Sequence, residues 1–153
     1  MSSSMSFASP PSRLPDPHYQ SVFYEGVPTK RFFAWVIDVA LITLITVTLG
    51  ILTLTALFWF WPLVYLTVSF LYRTITIAGG SATLGMRIMN LQLRGPTGER
   101  LSGGEATIHT LAYLTCSAFA LPQLISLVLI VIGDKHQGLH DMLIGSAAIN
   151  RPR

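Results

Sequence analysis

Apolar residues run almost unbroken from position 32 to position 71, and Asp38 is the single charged side chain among those 40 positions. At about 1.5 Å of rise per residue, a helix of that length reaches roughly 60 Å, two crossings of a hydrocarbon core about 30 Å thick. The run therefore predicts two spanning helices, residues 32–50 and 54–72. No polar linker separates them, and Gly50 is the residue best suited to turn the chain. So short a link makes the pair an antiparallel hairpin. Phe58, Trp59, Phe60 and Trp61 cluster near the turn. They read as an aromatic belt at the membrane interface, or else as packing residues.

Beyond Arg73 the character changes. Across 73–105 the basic residues Arg73, Arg87, Arg94 and Arg100 face only Glu99 and Glu105. Lys30 and Arg31 lie on the same side, because two crossings return the chain there. The positive-inside rule then places the N-terminal tail and this loop in the cytoplasm. Within the loop, residues 88–94 alternate like a strand, with Asn90, Gln92 and Arg94 against Met89, Leu91 and Leu93. Gly95, Pro96, Thr97 and Gly98 supply turn chemistry, which suggests a hairpin on the membrane surface. Residues 81–91 also suit a short amphipathic helix through Leu84, Ile88 and Leu91, and the two readings fit consecutive parts.

A third apolar region, residues 106–132, is longer than one crossing and short for two. Pro122 near its middle bends or breaks a helix. One kinked span would leave the C-terminus outside. A broken, re-entrant pair would return it, which Lys135, Arg151 and Arg153 favour. Residues 134–150 are amphipathic, with Asp141 as a candidate helix cap and 146–149 as a candidate strand.

Only 11% of the 153 residues are charged, against about 25% in ordinary soluble domains, which suits a chain dissolved mainly in lipid. The net charge of +3 sits outside the apolar runs, and no dense basic patch points to nucleic acid. Cys116 is the sole cysteine, so an intrachain disulfide and a cysteine-based zinc site are excluded. Residues 1–28 are rich in proline and serine and read as a disordered cytosolic tail, with no cleavable signal. The expected fold is all-α transmembrane: a helical hairpin plus a proline-broken third region, three to four membrane helices in residues 29–150, and a small cytosolic β or amphipathic element.

Three segments together resemble the RDD family of small bacterial membrane proteins, named for an arginine and two aspartates. They are Lys30-Arg31-Phe32-Phe33-Ala34-Trp35-Val36-Ile37-Asp38, Leu84-Gly85-Met86-Arg87-Ile88-Met89-Asn90-Leu91, and Gly138-Leu139-His140-Asp141-Met142-Leu143-Ile144-Gly145. The resemblance covers about residues 26–150 and places the family's arginine on Arg31 and its aspartates on Asp38 and Asp141. It implies that His109 stands where the family often has a second arginine. Ser146 stands near a position where threonine is typical. It implies a transport-related membrane module in the bacterial inner membrane, with no assigned ligand.

Arg31 and Asp38 are seven positions apart, two helical turns, and share a face. Direct pairing across about 10.5 Å of rise is a stretch, so a water or another residue at Ala34 would bridge them. Asp141 is the third candidate member if the C-terminus returns, and His109 and His140 are titratable accessories. Two readings stay open: an ion network that locks tail to helix, or a cation or proton site centred on Asp38, since burial and a neighbouring guanidinium pull a carboxyl in opposite directions. Thr43, Thr46, Thr48, Thr53, Thr55 and Thr67 suit bonds to backbone carbonyls one turn back, or an ion path. His136 and His140 have a metal-ligand spacing, but Gly138 between them disfavours helix, so no metal site is expected. No cofactor, phosphate loop or nucleophile–base pair is recognisable, so an enzyme is not expected. The expected partners are the bilayer, further copies of the chain, and a small cation or other solute. The function reads as transport-related, coupled to a cation or proton through Asp38; the alternative is a non-catalytic adaptor with a structural Arg–Asp network.

Overall fold

The computed structural model describes residues 13–53 and 59–151. Helix α1, Val27–Leu52, begins at Gly26 in the left-handed region and carries a proline in its first turn. Its buried residues Val27, Ala34, Asp38, Ile42 and Thr46 form one narrow stripe at helical spacing. Leu44, Ile45, Val47 and Leu49 are exposed, as a lipid-facing surface requires. Helix α2, Trp61–Gly80, also starts with a proline in its first turn and ends at Ser81, whose φ is 51°. Both helices are long and apolar enough to cross a membrane.

The second span therefore lies several residues later than the hydropathy run places it. Gly50 does not turn the chain but sits inside α1. Arg73 does not end a span but is buried within α2. Pro62 explains the offset, because a helix tolerates proline in its first turn, where an N–H has no partner to lose. Of the aromatic cluster, Trp59 and Phe60 are exposed at the turn; Phe58 and Thr55 lie outside the described residues.

After α2 come α3, Leu84–Ile88, and strand β1, Leu91–Arg94. Helix and strand readings thus apply to consecutive stretches. Gln92 is nevertheless buried with its apolar neighbours, so the expected alternation does not hold. The partner strand is not across the Gly95–Gly98 turn. It is β2, Ala147–Asn150, antiparallel to β1, with Leu91 opposite Asn150 and Arg94 opposite Ala147.

The third apolar region divides into α4, Gly103–Ala118, and α5, Ala120–Ile132, bent by 115°. A capping box, Ser102 with Glu105, starts α4. The break falls at Phe119, three residues before Pro122, which occupies the first turn of α5. Helix α6, Leu139–Ile144, follows and stops at Gly145, whose φ is +68°. The C-terminal segment returns to the end of α1 that carries Lys30 and Arg31: Lys30 Nζ donates to Asn150 Oδ1 at 2.6 Å.

The main apolar core joins Val27, Ala34, Ile77, Met86, Leu91, Leu93, Ala106 and Ala148. It therefore lies where helix ends meet the sheet, not midway along the spans. From Arg13 on, the N-terminal segment packs instead of trailing free: Leu14 and Tyr24 cover Ala147 and Ile149, and Tyr24 donates its hydroxyl to the Pro15 carbonyl at 2.9 Å. The remainder of that tail, residues 1–12, lies outside the described residues.

Helix α3 presses on α1 at Gly85. A Cβ there would stand 2.1 Å from the Ala34 carbonyl oxygen and 2.8 Å from Asp38 Oδ1. Both neighbours are fixed, so Gly85→Ala is expected to destabilise the fold by about 1–3 kcal/mol. Thermal unfolding in detergent measures this; an unchanged melting temperature would show that α3 is not seated on α1.

Candidate functional site

Among the described residues the buried carboxylates lie in two clusters. The first surrounds Asp38, which is 1% exposed. Its Oδ1 accepts the Tyr72 hydroxyl at 2.6 Å and the Gly85 N–H at 2.8 Å, and its Oδ2 accepts the Thr83 hydroxyl. Thr83 also caps α3, accepting the Met86 N–H at 3.2 Å. Tyr72 in turn accepts the Leu84 N–H at 3.2 Å. One carboxylate thus ties α1 to α2 and to the start of α3. Among the described residues, no Lys, Arg or His lies within ion-pair distance of it. The space beside Ala34 is filled by Gly85, not by a bridge to Arg31.

The second cluster surrounds Asp141, which is fully buried. Arg31 Nη2 meets its Oδ2 at 2.7 Å, and His109 Nε2 meets its Oδ1 at 2.8 Å. The Gly138 N–H donates to Oδ2 at 3.0 Å, which also starts α6. Arg31 Nη2 further approaches His140 Nε2 at 3.3 Å. A guanidinium only donates, so His140 Nε2 accepts and its ring proton sits on Nδ1. The rings of His109 and Tyr113 pack edge-on against His140, with centroids 5.1 and 5.2 Å away. Arg31, Asp38 and Asp141 therefore do not form one network. Arg31 and Asp141 pair, His109 and His140 join them, and Asp38 stands apart.

His109, His140 and Asp141 are the described residues whose ligating atoms come close enough to share a metal ion, within 4.8 Å. The guanidinium of Arg31 already lies against two of those donors, so the positive charge that the site favours is supplied by the chain itself. His136, the other half of the spaced histidine pair, faces elsewhere, its Nδ1 2.8 Å from the Ile130 carbonyl. Thr46, Thr48, Thr53 and Thr67 donate to carbonyls one turn back at 2.8 Å, so their hydroxyls are occupied by their own helices.

A cavity of about 410 Å³ adjoins the second cluster. Arg31, Arg73, His109, Thr110 and His140 form part of its wall, with Trp35, Leu127 and Val131 among its apolar lining. Arg73 is one of the residues that sequence reading missed. It lies over the Tyr113 ring at 4.2 Å, with Nη2 3.4 Å from the Tyr113 hydroxyl. Among the described residues it has no carboxylate partner. Seven buried side-chain nitrogen or oxygen atoms of the described residues lack a hydrogen bond. Five belong to this wall: Arg31 Nη1, Arg73 Nε, His109 Nδ1, Thr110 Oγ1 and His140 Nδ1.

The family model of the RDD family matches residues 26–145. The chain belongs to the RDD family. No curated protein and no solved structure matches it. In this RDD protein both aspartates behind the resemblance are buried and the arginine is partly buried, with their partners drawn from segments far along the chain. Tyr72 and Arg73 carried no motif, and Thr83 precedes the second quoted segment by one residue. Gly85 lies inside that segment.

Burial pushes the His140 imidazole down to about 3, with Arg31, His109 and Arg73 adding to the effect and Asp141 opposing it. For Asp141 burial alone would raise the carboxyl, but Arg31, His140 and His109 hold it well below the usual range. Both shifts leave the unfolded chain binding more protons in acid, so stability falls as pH falls. His140, faced by Asp141, Arg31, His109, Arg73 and Tyr113, acts first, from its ordinary 6.5 downward. Asp141 follows below its ordinary 3.8. Unfolding free energy in detergent is expected to be level above about pH 7 and then to drop, by at most about 1.4 kcal/mol per pH unit from His140 alone. His140→Gln should flatten the upper part of that slope. An identical slope in the variant would show that His140 is not held neutral.

Proposed function

We propose that this RDD protein is a non-enzymatic, transport-related membrane module that holds a solute in the cavity bordered by α1, α2, α4 and α5. Asp38 and the Arg31–Asp141 pair are the clamps that keep the cavity's walls in place. The observation that carries this reading is a cavity of about 410 Å³ walled by Arg31 and Arg73, of which Arg73 has no carboxylate partner among the described residues. A buried charge without a partner is costly, and a cavity beside one is suited to a ligand that supplies the opposite charge.

The competing reading couples a cation or proton through Asp38. Its support is a carboxylate buried inside a spanning helix, an expensive placement. Against it, three donors already enclose that carboxylate, and Asp38 does not line the cavity. An adaptor role shares the clamps but gives the cavity no task. The end bearing Lys30, Arg31 and the loop arginines is assigned to the cytoplasm by the positive-inside rule, in a bacterial inner membrane, with further copies of the chain as candidate partners.

Asp38→Asn separates the two transport readings. With Asp38 as a clamp, the variant melts several degrees lower in detergent, and proteoliposomes of variant and wild type show the same cation-dependent proton flux. Flux in the wild type that a still-folded Asp38→Asn loses would make Asp38 the coupling group and overturn the proposal.

A further inference from the structure

The cavity's chemistry narrows what it can hold, given that it is the working site proposed above. Among the described residues its wall carries the guanidiniums of Arg31 and Arg73 and no Asp or Glu. A ligand rich in acceptors satisfies them. The charges agree. Asp141 answers Arg31 at 2.7 Å, which leaves Arg73 without a carboxylate among the described residues. Stacking on Tyr113 returns only a small part of what burying an ion costs. Arg73 is 7% exposed, so solvent does not make up the difference. One negative charge in the cavity would.

The opposite end of the cavity is apolar. Phe32 and Trp35 of α1 and Leu127 and Val131 of α5 line it, and each is partly exposed on the outer surface. Helices α1 and α5 make no substantial contact with each other. The cavity therefore has a lateral mouth between two lipid-facing helices. Its volume is at the low end for ligand sites, suited to one chain and not two.

We infer that the cavity binds a single-chain amphiphile with a carboxylate head, a fatty-acid-like molecule that enters from the bilayer between α1 and α5. The head lies against the Arg73 guanidinium, whose planar fork matches a carboxylate. The chain runs out past Trp35, Leu127 and Val131.

The chain has three tryptophans, and Trp35 is the one on the cavity wall. Full-length protein carrying Trp59→Phe and Trp61→Phe, in zwitterionic phosphatidylcholine nanodiscs, reports the site through Trp35 fluorescence. The probes are 9,10-dibromostearate, the matching dibrominated stearyl alcohol, and brominated phosphatidylglycerol. Saturable quenching is expected with the acid, at about 10-fold or more higher affinity than with the alcohol. Arg73→Gln should remove that preference while leaving the alcohol unchanged. Val131→Phe, at a residue 64% exposed, should weaken the acid by narrowing the mouth. Should Arg73→Gln lose its far-UV circular dichroism, Arg73→Lys, which keeps the charge and removes the planar fork, takes its place and should weaken the acid alone. Equal affinity for acid and alcohol, an acid response unaffected in a folded Arg73→Gln, or no quenching in the wild type overturns the inference. Stronger quenching by phosphatidylglycerol overturns the carboxylate and assigns the head to a phospholipid. Any of these with Asp38→Asn still behaving as a clamp would leave the proposed roles of the two aspartates intact.

Discussion

A charge taken out of water must find its partner inside the protein, and a chain this poor in polar residues has few partners to offer. The Arg31–Asp141 pair meets that constraint, and the geometry around it follows. Arg31 is anchored near the start of α1, and Asp141 near the start of α6. Bringing them to 2.7 Å requires α6 to return to the end of α1. That return needs the sharp bend between α4 and α5, and it places β2 where it can pair with β1. The same carboxylate receives His109 from α4 and the Gly138 N–H, so it is satisfied on both oxygens. Replacing one partner would strand the other, at about 3–5 kcal/mol.

Asp38 meets the same constraint differently. It has no cation beside it, and hydrogen bonds alone hold it: two hydroxyls and one backbone N–H. Those donors belong to the middle of α2 and the start of α3, so the carboxylate acts as a hub where three segments cross. Arg73 is the exception. It is buried, stacked on Tyr113, and lacks a carboxylate among the described residues, and it borders the cavity. The contrast separates groups whose needs the fold meets from groups whose needs it leaves open.

What was legible in the sequence followed from local pattern. The uncharged run announced the spans, Pro122 announced a break in the third region, and residues 146–149 announced a strand. What was not legible depended on distance along the chain. Hydropathy stays high well past Arg73, so it places the ends of α2 poorly; Pro62 held the better signal. Arg31 and Asp38 share a helical face, which invited pairing them. Their actual partners lie at Asp141 and, for Asp38, 34 to 47 positions away. Arg73 looked like a residue at a span's edge because nothing local reveals that Tyr113 of α4 covers it. Gln92 alternates correctly for a half-exposed strand, yet tertiary packing buries it.

A double-mutant cycle on Arg31 and Asp141 probes the lock between α1 and α6 itself. Unfolding free energies would be measured in mixed micelles for wild type, Arg31→Gln, Asp141→Asn and the double variant. If the pair holds the C-terminal segment in place, each single variant loses stability and the double loses far less than the sum, a coupling of about 3 kcal/mol. Losses that simply add would mean that the two residues are neighbours without dependence, and that something else draws α6 back to the start of α1.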